Sequence, residues 1–236
     1  MYYLAVVKRR GGESLAVDVF AALRAEIFDR RFSPGERLKP LELAQRFGVS
    51  IGVLREALGL RAAQHLVVIE RNRGFHVTAL SREHLLALTF ARKLNEGAAL
   101  RLSVERGDVK WESEVLAAHH RLARDSNFHL DEAGVYHRNP SWAAAHIAFH
   151  HMLISACGND VLLNICDRLS DAAELYRAWS GRVEPGRDIP AEHLALMKAC
   201  TARDADLAVE LFEQHVDHTA SILLDHEFLF VPDQAG

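Results

Sequence analysis

The chain has 236 residues, with 28 Lys and Arg against 32 Asp and Glu, and its hydrophobic content of 49% contains no run long enough to span a membrane. Length and composition are those of an ordinary folded protein with room for two cores, which excludes a disordered, collagen-like or membrane-embedded chain. The net charge of −4 hides an asymmetry: residues 1–80 hold 13 basic and 8 acidic side chains (+5), and residues 81–236 hold 15 and 24 (−9). Only the first part can approach a polyanion.

In chain order, Met1 to Arg10 sets apolar residues before Lys8, Arg9 and Arg10, the inverse of a secretory leader, so residues 1–12 are expected to be a disordered or tag-like tail. Behind a plausible cap at Ser14, the residues Leu15, Val19, Ala22, Leu23 and Ile27 recur at helical spacing and stop before the turn Phe32-Ser33-Pro34-Gly35. Leu41, Leu43, Ala44 and Phe47 predict a short second helix closed by Gly48. Ser50 caps a third, carrying Val53, Leu54, Ala57 and Leu58. The short connection Gly48-Val49-Ser50 is what a helix-turn-helix needs. Residues 66–70 and 75–78 are β-rich runs around Arg71-Asn72-Arg73-Gly74, a hairpin with a basic tip. Together these elements predict a winged helix-turn-helix over 13–79.

Beyond Ala79 the strand signals stop. Amphipathic helices are expected over about 81–106, 111–126, 141–156, 159–180, 191–201 and 204–226, with breaks at Gly107-Asp108, Asp131 to Pro140, Gly158 and Gly181 to Pro190. The fold class is therefore mainly α: a winged helix-turn-helix followed by a six-helix antiparallel bundle over 80–226 and a tail over 227–236. Cys157, Cys166 and Cys200 are odd in number and lie in apolar helical patterns, which argues for buried thiols and a cytoplasmic location rather than a disulfide framework.

Two constellations carry chemistry. In the first, the helix opened by Ser50 presents Ile51, Gly52 and Arg55 to a major groove. Ser50 and nearby backbone amides can meet a phosphate, and Arg55 can fork onto a guanine edge or a phosphate. Arg37, Arg71 and Arg73 add positive charge, while Gly74 lets the wing backbone come close to a minor groove. A helix-turn-helix reads a two-fold operator in double-stranded DNA with paired recognition helices, so a homodimer is expected.

The second constellation comes from histidine, 12 of whose 14 residues lie beyond position 80. His146 and His150 are one helical turn apart, and His150, His193 and His215 sit on apolar stripes of three helices. A lone inward histidine is usually a hydrogen-bonded core residue. Four on converging faces point instead to one divalent metal.

The ordered set Pro34-Gly35-Glu36-Arg37-Leu38, Gly48-Val49-Ser50, Leu54-Arg55-Glu56-Ala57-Leu58 and Arg73-Gly74-Phe75 resembles the DNA-binding domain of the GntR family of transcription regulators. Residues 80–226 resemble the FCD effector domain of its FadR-type branch, through Arg92, Glu96, the Phe149-His150 to Gly158-Asn159 run, Tyr176-Arg177, Glu192-His193 and Asp204 to His215. Within that branch the Trp142 to His150 segment and the Tyr176-Arg177 pair are most similar to CsiR-like regulators. The resemblance implies an operator-binding regulator, expected to be a repressor, whose DNA affinity responds to a small molecule. Where the family pattern has an acidic ligand, this chain has His146. Four neutral imidazoles favour zinc or nickel and leave the cation's charge uncompensated, which invites a small carboxylate effector held at its far end by Arg92, Arg101 and Arg177. Ile51 and Gly52 replace the polar residues the family commonly carries after Gly-Val-Ser, so base readout is expected to lean on Arg55, an Ile51 contact to a thymine methyl and DNA shape.

The competing reading is a metal-dependent hydrolase or lyase with an accessory winged helix. It requires a general base beside the metal. The one adjacent carboxylate, Glu192, neighbours His193 on a helix and points about 100° away from it.

Overall fold

The computed structural model describes residues 12–28, 31–63, 66–70, 74–130, 136–183, 187–226 and 230. The chain divides into two compact units between Ser81 and Arg82.

In the first unit, α1 (Gly12–Phe28) packs on α3 (Ile51–Ala63), with α2 (Pro40–Phe47) also laid against α3. Val19, Leu23, Ile27, Leu43, Leu54 and Leu58 make the core between them, each large aliphatic side chain contributing about 1.5–3 kcal/mol by leaving water. The turn between α2 and α3 follows from local chemistry. Gly48 takes φ 67°, and its own amide and that of Val49 return to the carbonyls of Gln45 and Ala44. Ser50 Oγ then accepts from the Val53 amide at 3.3 Å and opens α3. The strands β1 (Arg37–Leu38), β2 (Val67–Glu70) and β3 (Gly74–Val77) form an antiparallel sheet ordered β1-β3-β2, which completes a winged helix.

Two local expectations are corrected, and one element went unread. The first helix begins at Gly12, so Ser14 lies inside it rather than at its cap. Leu41 is exposed, because α2 spans only two turns and buries Leu43 and Ala44 instead. A two-residue strand, β1, was too short to leave a periodic signal.

The second unit is helical: α4 (Arg82–Arg106), α5 (Val109–Ala123), α6 (Pro140–Ile154), α7 (Asp160–Val183), α8 (Ile189–Thr201) and α9 (Ala205–Leu224). The helix α4 packs along α9 and α7, and α5 against α6 and α8. Side-chain caps set several helix starts: Asp108 for α5, Asn139 for α6, Asp188 for α8 and Asp204 for α9, each accepting a backbone amide of the first turn. One expectation fails here. Beside the break expected at Asp131 to Pro140 lie two short strands, β4 (Phe128–Leu130) paired antiparallel with β5 (Tyr136–Arg138), so strands do not stop at Ala79. Among the described residues no helix is long and apolar enough to cross a membrane.

Candidate functional site

On α3 the expected reading face is free of the unit's core: Ser50, Ile51, Gly52 and Arg55 are all exposed, and so is Arg37 on β1. A Cβ at Gly52 would meet only Ser50 Oγ, at 3.7 Å, so the packing of the protein does not require glycine there. Gly74 has φ 92°, a left-handed conformation that itself calls for glycine at the start of β3. Arg71 and Arg73 lie outside the described residues.

The four predicted histidines meet. His146 and His150 project from α6, His193 from α8 and His215 from α9; all four are buried, and each offers a nitrogen within 4.8 Å of the others'. Their rings lie close: centroids are 4.5 Å apart for His146 and His150, 5.0 Å for His193 and His215, and 5.1 Å for His150 and His215. Trp142 stacks on His146 at 4.8 Å, and Phe149, fully buried, meets His193 edge-on, so apolar rings hold the imidazoles in place. Burial pushes His146, His150 and His193 well below the usual histidine range, and their mutual repulsion adds to this. Burial likewise brings His215 down to about 4, against a hydrogen bond to Glu192 that favours its charged form. The imidazoles are therefore neutral at pH 7, the state in which they ligate metals.

Two observations test the fit to a metal. His146 Nδ1 and His150 Nδ1 are buried with no hydrogen-bond partner among the described residues, and His150 Nε2 faces His193 Nε2 at 3.3 Å. An orphaned buried nitrogen is costly, and a shared cation satisfies it. Zinc bound at about 2.0–2.1 Å sets ligand nitrogens roughly 3–4 Å apart, so a slight closing of the observed spread completes the site. These residues fit a divalent ion.

A narrow cavity opens beside the centre, lined by Trp142, His146, Arg177, Arg187, His215 and Thr219. Arg177 also lines a neighbouring cavity between α4, α7 and α9, together with Arg92 and Tyr176. Both arginines already have partners. Arg92 is buried and forks onto Glu96 at 2.6 and 3.0 Å, and Arg177 binds Glu174 at 2.6 Å and the Ser170 carbonyl at 2.7 Å. Glu174 is thus buried and ion-paired. Arg101 is a correction: it stands half-exposed, pairs with Asp206 at 2.7 Å and lines neither cavity. The three cysteines are buried and free, and burial pushes Cys166 and Cys200 up to about 12.

Arg187 went unread in the sequence, because it follows a loop with no periodicity. Its guanidinium forks onto Glu192 at 2.8 and 2.6 Å and donates to Thr219 Oγ1 at 2.8 Å and the His215 carbonyl at 2.9 Å. Glu192 does point away from His193, into the space where α9 brings His215 Nδ1 to 2.7 Å and His218 Nδ1 to 3.2 Å. Burial alone would raise its carboxyl, yet the bonds from His215 and Arg187 hold it well below the usual carboxylate range.

An exposed helix face on a winged helix, followed by a helical unit with four buried histidines, is the architecture of a two-domain DNA-binding regulator. Residues 15–77 match the bacterial regulatory proteins of the gntR family and residues 87–218 match the FCD domain; the chain belongs to this family. It is 37% identical over 214 residues to the HTH-type transcriptional regulator BphR of Paraburkholderia xenovorans, covering 89% of this chain and 85% of that one. It is 34% identical over 211 residues to the HTH-type transcriptional repressor GlaR of Escherichia coli, covering 85% and 92%. Its fold is shared with a GntR regulator from Rhodococcus (TM-score 0.66, 24% identity, 90% and 99% covered) and with E. coli McbR/YncC (TM-score 0.66, 19% identity, 89% and 97% covered). The family consists of transcriptional regulators, not enzymes, which settles against the hydrolase or lyase reading.

Proposed function

We propose that this protein is a homodimeric repressor whose operator affinity is set by a small carboxylic acid bound at a zinc or nickel ion, the ion being held by His146, His150, His193 and His215. The observation that carries the reading is the convergence of four buried, neutral imidazoles from three helices on one point, beside a cavity lined by two guanidiniums. The metal, when bound, supplies an uncompensated positive charge. Arg177 and Arg187 line the same cavity while paired with Glu174 and Glu192, so an acid there meets guanidiniums at one end and the metal at the other, and a short dicarboxylate has the matching chemistry. Arg92 lies at the end of the adjoining cavity and Arg101 takes no part. A ligand touching α6, α7 and α9 together can shift their packing, and repression is supported by the repressor named among the relatives. Specific DNA contacts fall to Arg55 and Ile51 in this reading, with Gly52 letting the α3 backbone come close to the groove and phosphate contacts from Ser50, Arg37, Arg71, Arg73 and the Gly74 backbone. A regulator of this kind works where the chromosome is, in the cytoplasm.

The test combines elemental analysis, thermal melting and gel shift with the linear dicarboxylates from oxalate to adipate. Purified protein is expected to carry about one metal per chain, and one of the acids to raise the melting temperature and change operator affinity. The double variant His150→Ala, His215→Ala should lose both the metal and the response. A double variant that kept its metal and still responded to the acid would place the effector site elsewhere.

A further inference from the structure

The geometry around α8 and α9 assigns Glu192 a role of its own: we propose that it is the positioning residue of the histidine centre, locking His215 as the Nδ1–H tautomer and leaving Nε2 as its ligand atom. This rests on the metal reading above, and its argument is a count of hydrogens. Two groups contact His215 Nδ1, namely Glu192 Oε2 at 2.7 Å and Arg187 Nη2 at 3.2 Å. Arg187 Nη2 has two hydrogens, and both have shorter destinations, in Glu192 Oε2 at 2.6 Å and the His215 carbonyl at 2.9 Å. None remains for Nδ1. A carboxylate only accepts, so Nδ1 itself carries the proton and donates it to Oε2. A neutral imidazole protonated at Nδ1 has its lone pair on Nε2.

Arg187 keeps the carboxylate in this orientation. Its Nε and Nη2 donors grip both oxygens, Nη1 donates to Thr219 Oγ1, and its side chain is 4% exposed. Thr219 lies one turn after His215 on α9 and donates to the His215 carbonyl at 3.1 Å, so the clamp and the imidazole it orients share one helix turn. A carboxylate behind a metal-bound histidine raises the basicity of the ligand and restricts its rotation, and losing such a group costs about 10–100-fold in metal affinity. Among the described residues no carboxylate bonds the ring of His146, His150 or His193, so this orienting bond is particular to His215.

The experiment uses the full chain labelled with 15N-histidine, stripped of metal and then titrated with Co2+ alone. In the wild type, His215 should show the Nδ1–H tautomer before any metal is added. Glu192→Ala should populate the other tautomer, bind Co2+ about 10–100-fold more weakly and change the visible absorption of the bound ion. Glu192→Gln, whose amide oxygen can still accept from Nδ1–H, should recover most of both. An Nε2–H tautomer at His215 in the wild type overturns the proposal whether or not the alanine variant folds, as does Co2+ binding of unchanged affinity and spectrum in Glu192→Ala. Wild-type protein that takes up no Co2+ but keeps the Nδ1–H tautomer overturns the metal reading instead.

Discussion

Arg55 stands one turn into α3 with its side chain in solvent, while Leu54, Ala57 and Leu58 beside it are fully buried. Its position therefore owes nothing to the core, and removing it leaves the fold alone. A bidentate arginine contact to a base is worth about 1–3 kcal/mol of discrimination, so Arg55→Ala should weaken specific operator binding by roughly 5- to 150-fold. Melting temperature and oligomeric state should not change. Gel shift against specific and scrambled duplexes measures this, and equal affinity of variant and wild type for the specific duplex would remove Arg55 from the readout. Legibility differed between residue types at this scale. The four histidines were readable because helical period put each on an apolar stripe. Arg101 was misread because a guanidinium on a helix gives no sign of which neighbour it will find, and an exposed pair such as Arg101–Asp206 adds little to stability.

The element that stands out is α4, which has two different faces. One buries Leu85, Leu88, Arg92, Glu96 and Leu100 against the rest of its unit. The other carries Leu86, Phe90, Leu94 and Ala98 at every fourth position and faces solvent, with Phe90 70% exposed and Leu94 62%. An exposed apolar stripe of this kind has the chemistry of an interaction face. The homodimer proposed above needs a contact face, and a stripe without charges is self-complementary about a two-fold axis. We take this stripe as the homodimer contact. Phe90→Glu should convert the protein to a monomer in sedimentation velocity and lower operator affinity by at least tenfold, without loss of helix content by circular dichroism. A Phe90→Glu protein that sedimented as a dimer would assign dimerisation to another surface.

At the scale of the whole molecule, the histidine centre ties stability to pH. In metal-free protein the folded pKa values of His146, His150 and His193 lie well below the ordinary histidine value, and that of His215 is about 4. Unfolded histidines titrate near 6.5, so as pH falls below about 6.5 the unfolded chain takes up protons that the folded one refuses. The stability is fully present above pH 6.5 and is lost progressively toward pH 4. Melting curves of chelator-treated protein should show a falling midpoint from pH 6.5 downward, and saturating Zn2+ should raise the midpoint at pH 7. A midpoint unchanged between pH 7 and pH 5 would mean that the imidazoles are not buried in neutral form.

The sequence by itself determined the two-part architecture, the turn of the helix-turn-helix and the four histidines, because each is written in local chemistry: helical period, a glycine at a left-handed cap, a serine at a helix start, a change in charge balance. Only the tertiary structure decided what those elements meet. The pairing of Glu192 with His215 joins residues on different helices, Arg187 comes from an aperiodic loop, and the hairpin of β4 and β5 is made of strands too short to announce themselves. Partners brought together by chain folding depend on how helices cross, and no single helix carries that information in its own periodicity.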